Sequence, residues 1–160
     1  MKAISIIMGS DSDLETVRET VNVLKEFKVM PEVKVLSAHR TPKELAAYVE
    51  AAPKRGVKVF ICAAGGSAAL SGVVAAHTTL PVIGIPIETK SLRGLDSLLS
   101  TAQMPGGIPV ASMAIGKAGA KNAAIFALEI LGITDNDIKA KLLAYKGKMR
   151  AKIKKIKLKV

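Results

Sequence analysis

Cysteine and aromatic residues are almost missing from this chain: its 160 residues include one Cys, three Phe, two Tyr and no Trp. A lone Cys62 closes no internal disulfide, and two histidines without a Cys-x-x-Cys spacing make no recognisable zinc cluster. Too few aromatics are present to build the stacking platforms of a single-strand nucleic-acid binder. No apolar run reaches the ~18 residues of a membrane span, and the opening MKAISIIMGSDSD lacks a signal peptide's small-residue cleavage pattern. These absences predict a soluble, cytoplasmic protein with no membrane partner, neither a disulfide scaffold nor a zinc enzyme.

Acidic residues are missing from one region only. From Lys139 to the end there are ten Lys/Arg and no Asp or Glu, so the net charge of +11 is local. The first 138 positions are nearly neutral, which makes nucleic acid an improbable partner for the body. In the tail KGKMRAKIKKIKLKV, Met149, Ile153, Ile156 and Val160 recur at helical spacing among lysines. Such a stripe suits an acidic polymer or a membrane surface. The expectation taken here is the simpler one, a terminal helix over about 134–160 that packs its apolar stripe on the body or on a neighbouring subunit.

What is present is an alternation of apolar runs of strand length with segments of helical period, the pattern of an α/β protein with a mainly parallel sheet. Strands are predicted at 3–8, 32–37, 57–64, 81–87 and 108–116. The nearly all-apolar VKVFICAA is what a strand covered by helices on both faces requires. Leu14, Val17, Val21, Leu24 and Phe27 mark one face of the first helix. Ser12 with Glu15, and Thr41 with Glu44, have the spacing of capping boxes, and Pro42 sits where a first helical residue tolerates the missing N–H. Further helices are predicted from 42 to 52, through Ala76, from 117 to 131 and from 134 onward. Without repeats or linkers, residues 1–160 read as one domain, a three-layer α/β/α sandwich of flavodoxin-like topology with a C-terminal helical extension.

In such sheets ligands bind beyond the carboxyl ends of the strands, near the point where strand order reverses. Three small-residue loops, GSDSD, SAHRTP and GGSAALSG, follow strands one to three and should line one edge. Helix starts offer free N–H groups to an anion. Ser10, Ser12 and Ser37 add hydroxyls, and Arg40 adds a forked cation matched to phosphate oxygens. Asp13 repels a phosphate but accepts hydrogen bonds from ribose hydroxyls, so together the loops describe a sugar-phosphate or nucleotide site. Each serine taken singly is equally a cap or turn residue. His39 alone in these loops moves a proton readily near neutral pH; pattern leaves it between that role and a backbone-bonded turn histidine. His77 reads as a polar helix terminus and Cys62 as a buried small hydrophobe.

The strings MGSDSD, SAHRTP, GVVAAHTTLPVIGIPI, GLDSLLSTAQMPGGIPVASMAIG and KAGAKNAA, in this order from Ile4 to about Ile133, closely resemble the PurE family of purine biosynthesis, in particular its N5-carboxyaminoimidazole ribonucleotide mutases. The resemblance implies an enzyme without metal or organic cofactor, assembled as a homo-octamer. It would move a carboxylate from the exocyclic nitrogen of an aminoimidazole ribonucleotide to ring carbon C4. It implies that Ser10, Asp13 and Arg40, with Ser12 and Ser37 beside them, bind this substrate. The third-loop positions Gly66, Ser67 and Leu70 are expected to bind it as well, and the resemblance implies that His39 is the acid/base.

The third loop departs from the mutase pattern, with Ala69 where the mutases carry His and Ser71 where they carry Pro. GGSAALSG leans toward the related class that carboxylates the aminoimidazole directly with CO2, whereas GLDSLLSTAQMPGG, AIGKAG and Arg40 lean toward the mutases, the reading favoured here. A phosphate-binding flavodoxin-like module is the alternative of another class. A signalling receiver, however, needs an aspartate where Ala63, Ala64 and Gly65 stand, and a flavin carrier needs aromatic groups these loops lack.

Overall fold

The structure is a computed structural model that describes residues 2–157. Five parallel strands, β1 (Ile4–Met8), β2 (Glu32–Val35), β3 (Val59–Ala64), β4 (Val82–Pro86) and β5 (Ala111–Ser112), form one sheet in the order β2-β1-β3-β4-β5. The order reverses at β1, which has β2 on one side and β3 on the other. Among the described residues six α-helices connect or follow the strands: α1 (Leu14–Glu26), α2 (Pro42–Ala51), α3 (Leu70–Ala76), α4 (Leu95–Ala102), α5 (Gly116–Leu131) and α6 (Asn136–Lys154).

Strand alternation divides the core in two. Ile4, Ile6 and Met8 of β1, with Ile61 and Ile83, pack under α1 and α5, where Leu24, Ala123, Ala127 and Leu128 close the layer. Ile7, Phe60, Cys62 and Val82 face the opposite way, under Leu45 and Val49 of α2 and Val74 of α3. Each fully buried Ile or Leu contributes ~1.5–3 kcal/mol, so the two apolar layers dominate the stability. Two of the polar groups they enclose are paired: the Ser5 hydroxyl lies 2.8 Å from the Tyr48 hydroxyl, and Thr20 Oγ1 donates to Ala120 O at 2.8 Å, tying α1 to α5; the buried Ser112 hydroxyl of β5 has no partner among the described residues. Small residues on α5 let it approach closely; a Cβ on Gly119 would overlap the Ala114 carbonyl.

The expected architecture is present, with strands shorter than predicted because apolar pattern continues into loops where ladder pairing has stopped. The predicted 108–116 strand keeps only Ala111 and Ser112. Neither capping box forms. Ser10 caps a short 3-10 turn at Asp11–Asp13 ahead of α1, and Glu15 reaches across to Lys117 of α5 at 2.7 Å. Thr41 heads α2 without a side-chain cap bond, because its hydroxyl is engaged by Ser37. α6 starts two residues later than predicted, where Asp135 accepts from the N–H groups of Asp137 and Ile138.

The tail differs more. Ile138 and Leu142 are buried and Tyr145 meets Phe27 with ring centroids 5.6 Å apart, so the first half of α6 docks on the body. Met149 and Ile153 stand exposed beyond it, and Ile156 lies past the helix end, also exposed. The predicted stripe is therefore not packed on the chain's own body; Val160 lies outside the described residues. No helix among the described residues is long and apolar enough to cross a membrane.

Candidate functional site

A cleft of about 600 Å³ opens at the carboxyl ends of β1, β2, β3 and β4. The three predicted loops meet there, since strands that neighbour one another in a parallel sheet deliver their following loops to one edge.

The first loop contributes Gly9, Ser10, Ser12 and Asp13. Ser10 is extended, and its hydroxyl accepts from Ser12 N–H at 3.3 Å and Ser12 Oγ at 2.9 Å while donating to Asp11 Oδ1 at 3.2 Å. Ser12 lies 3.3 Å from Asp13 Oδ1 as well. Asp13 is nearly buried at the cleft wall. Burial raises its carboxyl above the ordinary range, against the pull of hydrogen bonds from Ser10 and Ser12; the Asp11 charge adds to the rise and Arg40 opposes it.

The second loop supplies Ser37, Ala38, His39 and Arg40. Arg40 does not dangle. Its Nη2 donates to Gly9 O at 2.9 Å, joining loop two to loop one, and Ser37 Oγ accepts from its backbone N–H at 3.2 Å and more distantly from Nε. Ser37 is held in turn by Thr41, whose hydroxyl accepts from Ser37 N–H at 2.8 Å and donates to Ser37 O at 3.1 Å. The hydroxyl that sequence spacing offered as a helix cap thus braces the loop carrying His39 and Arg40. His39 is exposed and faces the cleft, whereas His77 ends α3 with its Nδ1 3.0 Å from Glu50 Oε1, outside the cleft. Cys62 is buried under α2 and α3, which pushes its thiol far up and leaves it unreactive.

The third loop presents a wall of small and apolar groups: Ala64, Gly65, Ala68, Ala69 and Leu70. Of the predicted positions, Leu70 lines the cleft, but Gly66 and Ser67 do not. Gly66 has φ +68°, a conformation suited to glycine. Both its backbone groups turn toward α4, where its N–H donates to Ser97 Oγ and its carbonyl accepts from Ser100 Oγ. The two departures from the mutase pattern separate as well, for Ala69 lines the cleft and Ser71 is buried behind it.

Ile87, Glu88 and Thr89, just past β4, form a fourth wall that the sequence reading did not assign. The signal was available: PVIGIPI was read as a strand parallel to the others, so its carboxyl end had to reach the same edge. The completed cleft has one polar side built from hydroxyls and the Arg40 guanidinium, suited to a sugar phosphate, and one small apolar side. His39 is an exposed residue of the second loop that lines the cleft, within it a side chain chemically able to exchange a proton with a bound ligand.

Residues 3–152 match the sequence model of a family described as AIR carboxylase. The chain is 55% identical over 150 residues to the N5-carboxyaminoimidazole ribonucleotide mutase of Pyrococcus abyssi, spanning 94% of this chain and 85% of that protein. It is also 55% identical over 139 residues to the mutase of Bacillus subtilis, spanning 87% and 86% respectively. The crystal structure of Treponema denticola PurE superposes with a TM-score of 0.86 at 30% identity, covering 94% of this chain and 92% of that one.

Proposed function

The chain belongs to the AIR carboxylase family, and from that premise we propose that its cleft converts N5-carboxyaminoimidazole ribonucleotide into the 4-carboxylated isomer, an intramolecular carboxyl transfer of purine biosynthesis. The activity is the one named for its relatives at 55% identity. The observation that carries the reading at the site is the placement of His39 beside an Arg40 tied to Gly9, facing a wall of small apolar groups at Ala64, Ala68 and Ala69.

In this reading Arg40 and the hydroxyls of Ser10, Ser12 and Ser37 hold the phosphate end, and Asp13 accepts from the ribose. His39 protonates the exocyclic nitrogen as the N–CO2 bond breaks, leaving the aminoimidazole and CO2 side by side. C4 then attacks the CO2 carbon, and the C4 proton passes to His39, which returns to its starting state. The proton given up equals the proton recovered, so one imidazole serves both steps. Holding CO2 against the ring makes its recapture effectively intramolecular, and the wall of Ala64, Ala68 and Ala69 offers it no competing nucleophile. The family's homo-octameric assembly and a cytoplasmic location form part of the same proposal, and the chemistry assigned here calls on neither metal nor organic cofactor.

A second reading, direct carboxylation of the aminoimidazole by CO2, is favoured by one observation: Ala69, which departs from the mutase pattern, lies on the cleft wall. Supplying the N5-carboxylated ribonucleotide, and separately the uncarboxylated one with bicarbonate, separates the two. Efficient turnover of the first substrate is expected, and turnover of the second alone would replace the mutase with the carboxylase. In the same assay His39→Asn is expected to keep substrate binding and lose ~10²-fold or more in turnover.

A further inference from the structure

The third and fourth walls of the cleft are sewn together by a side chain that touches neither the cleft nor the surface. Ser97, on the first turn of α4, is fully buried. Its Oγ donates to Ile87 O at 2.7 Å and accepts from Gly66 N–H at 2.9 Å. One hydroxyl therefore uses its donor on the end of β4 and an acceptor site on the loop after β3. Around it the joint is reinforced. Ile87 N–H donates to Ala64 O at 2.9 Å, Gly65 lies against Ile87, where a Cβ would make ordinary contact at 3.4 Å, and Ser100 Oγ reaches Gly66 O at 3.4 Å. On the far side Thr89 Oγ1 donates to Asp96 Oδ1 at 2.8 Å and accepts from Gly94 N–H at 3.2 Å, fixing the start of α4.

We infer that Ser97 is a positioning residue that keeps the Gly65–Ala69 loop closed against Ile87–Thr89, and thereby retains CO2 between the two halves of the reaction. The inference rests on the carboxyl-transfer reading given above. The Ile87 N–H to Ala64 O bond ties the two walls at their base; beyond it the loop runs through the left-handed Gly66 with few side chains, and the strand register of β4 ends at Pro86. Without the hydroxyl, Gly66 N–H and Ile87 O lose a shared partner behind the cleft, and the residues beside them, Gly65, Ala68 and Ile87, wall the cleft where CO2 would sit. A neutral molecule with no charge to hold it is retained only by walls. Decarboxylation does not need those walls, since His39 lies on the opposite loop; recapture does. Loss of the latch therefore separates the two half-reactions rather than slowing both.

The test measures, for one carbamate substrate, the 4-carboxylated product formed and the aminoimidazole ribonucleotide released above the uncatalysed blank, with folding checked by thermal melting. Wild-type protein should give product with little release. In Ser97→Ala the ratio of released to carboxylated ribonucleotide should rise, by as much as the ~10²-fold that a ~1 Å misplacement of positioned groups can cost, and added bicarbonate should restore product formation. A merely structural defect would lower both products together and would not respond to bicarbonate. Thr89→Val, a near-isosteric change that cuts the ties to Asp96 and Gly94, should leak in the same direction and serves if Ser97→Ala does not fold. A folded variant with the wild-type product-to-release ratio would overturn the role of Ser97. Wild-type protein that makes no product from the carbamate would instead remove the carboxyl-transfer reading itself.

Discussion

Asp13 is held in the fold against its own solvation. Burial lifts its carboxyl above the ordinary range, so the folded state binds that proton more tightly than the unfolded chain does. A raised carboxyl contributes stability below its unfolded value and loses it as pH rises through the folded value, so ionised Asp13 weakens the fold at neutral pH. Asp13→Asn should therefore melt at a higher temperature than wild type at pH 7, with the difference closing as pH falls through the carboxylate range. Its affinity for the ribonucleotide should drop, because an amide is a weaker acceptor for ribose hydroxyls than a carboxylate. Melting curves across pH together with a binding titration check both halves; a destabilised Asp13→Asn at pH 7 would show that its hydrogen bond from Ser12 outweighs desolvation. At this scale the residue types of the site were legible, because serines, Asp13, His39 and Arg40 stand on loops where only function or capping explains them. Their partners were not legible. Whether Thr41 caps a helix or braces Ser37 depends on a loop path that spacing four apart does not specify.

The elements differ in how closely they must approach. α5 lies against the turn before it through Gly119, where an added methyl would meet the Ala114 carbonyl, a backbone group that cannot swing aside. Gly119→Ala should cost ~1–3 kcal/mol, the range for overpacking a filled interior, read as a lowered denaturation midpoint with an unchanged denaturant slope. An unaffected midpoint would mean that α5 slides outward freely along α1. Such sliding is opposed by the buried Thr20–Ala120 bond; the exposed Lys117–Glu15 and Lys121–Glu19 pairs add little. Element type and order followed from periodicity, and the Gly and Ala content of α5 signalled a close approach without naming the neighbour.

Across the whole molecule, charge and packing part company along α6. Its first half is anchored by Ile138, Leu142 and Tyr145, while residues 146–154 project with exposed side chains, apart from the Lys146–Glu129 pair. Deleting residues 148–160 removes seven basic residues and no acidic one. For a single chain it should change stability by less than ~0.5 kcal/mol, because residues 148–157 are exposed. Calorimetry and sedimentation on the truncated protein check this. A large loss of stability, or a smaller assembly, would place Met149 and Ile153 against a neighbouring subunit, the other half of the expectation for this stripe.

The class of the fold, the strand–helix order and the edge where the polar loops gather are all readable along the chain, because hydrophobic period and the parallel-sheet rule act on local pattern and connectivity. What closes the cleft emerges from the packing of elements against one another. The wall after β4, the turn of Gly66 away from the cleft toward α4, and the Ser97 hydroxyl shared between Gly66 and Ile87 join residues 10 to 31 positions apart. Contacts of that kind follow from the distance between elements after the two apolar layers have packed, and a pattern read along the chain does not contain that distance.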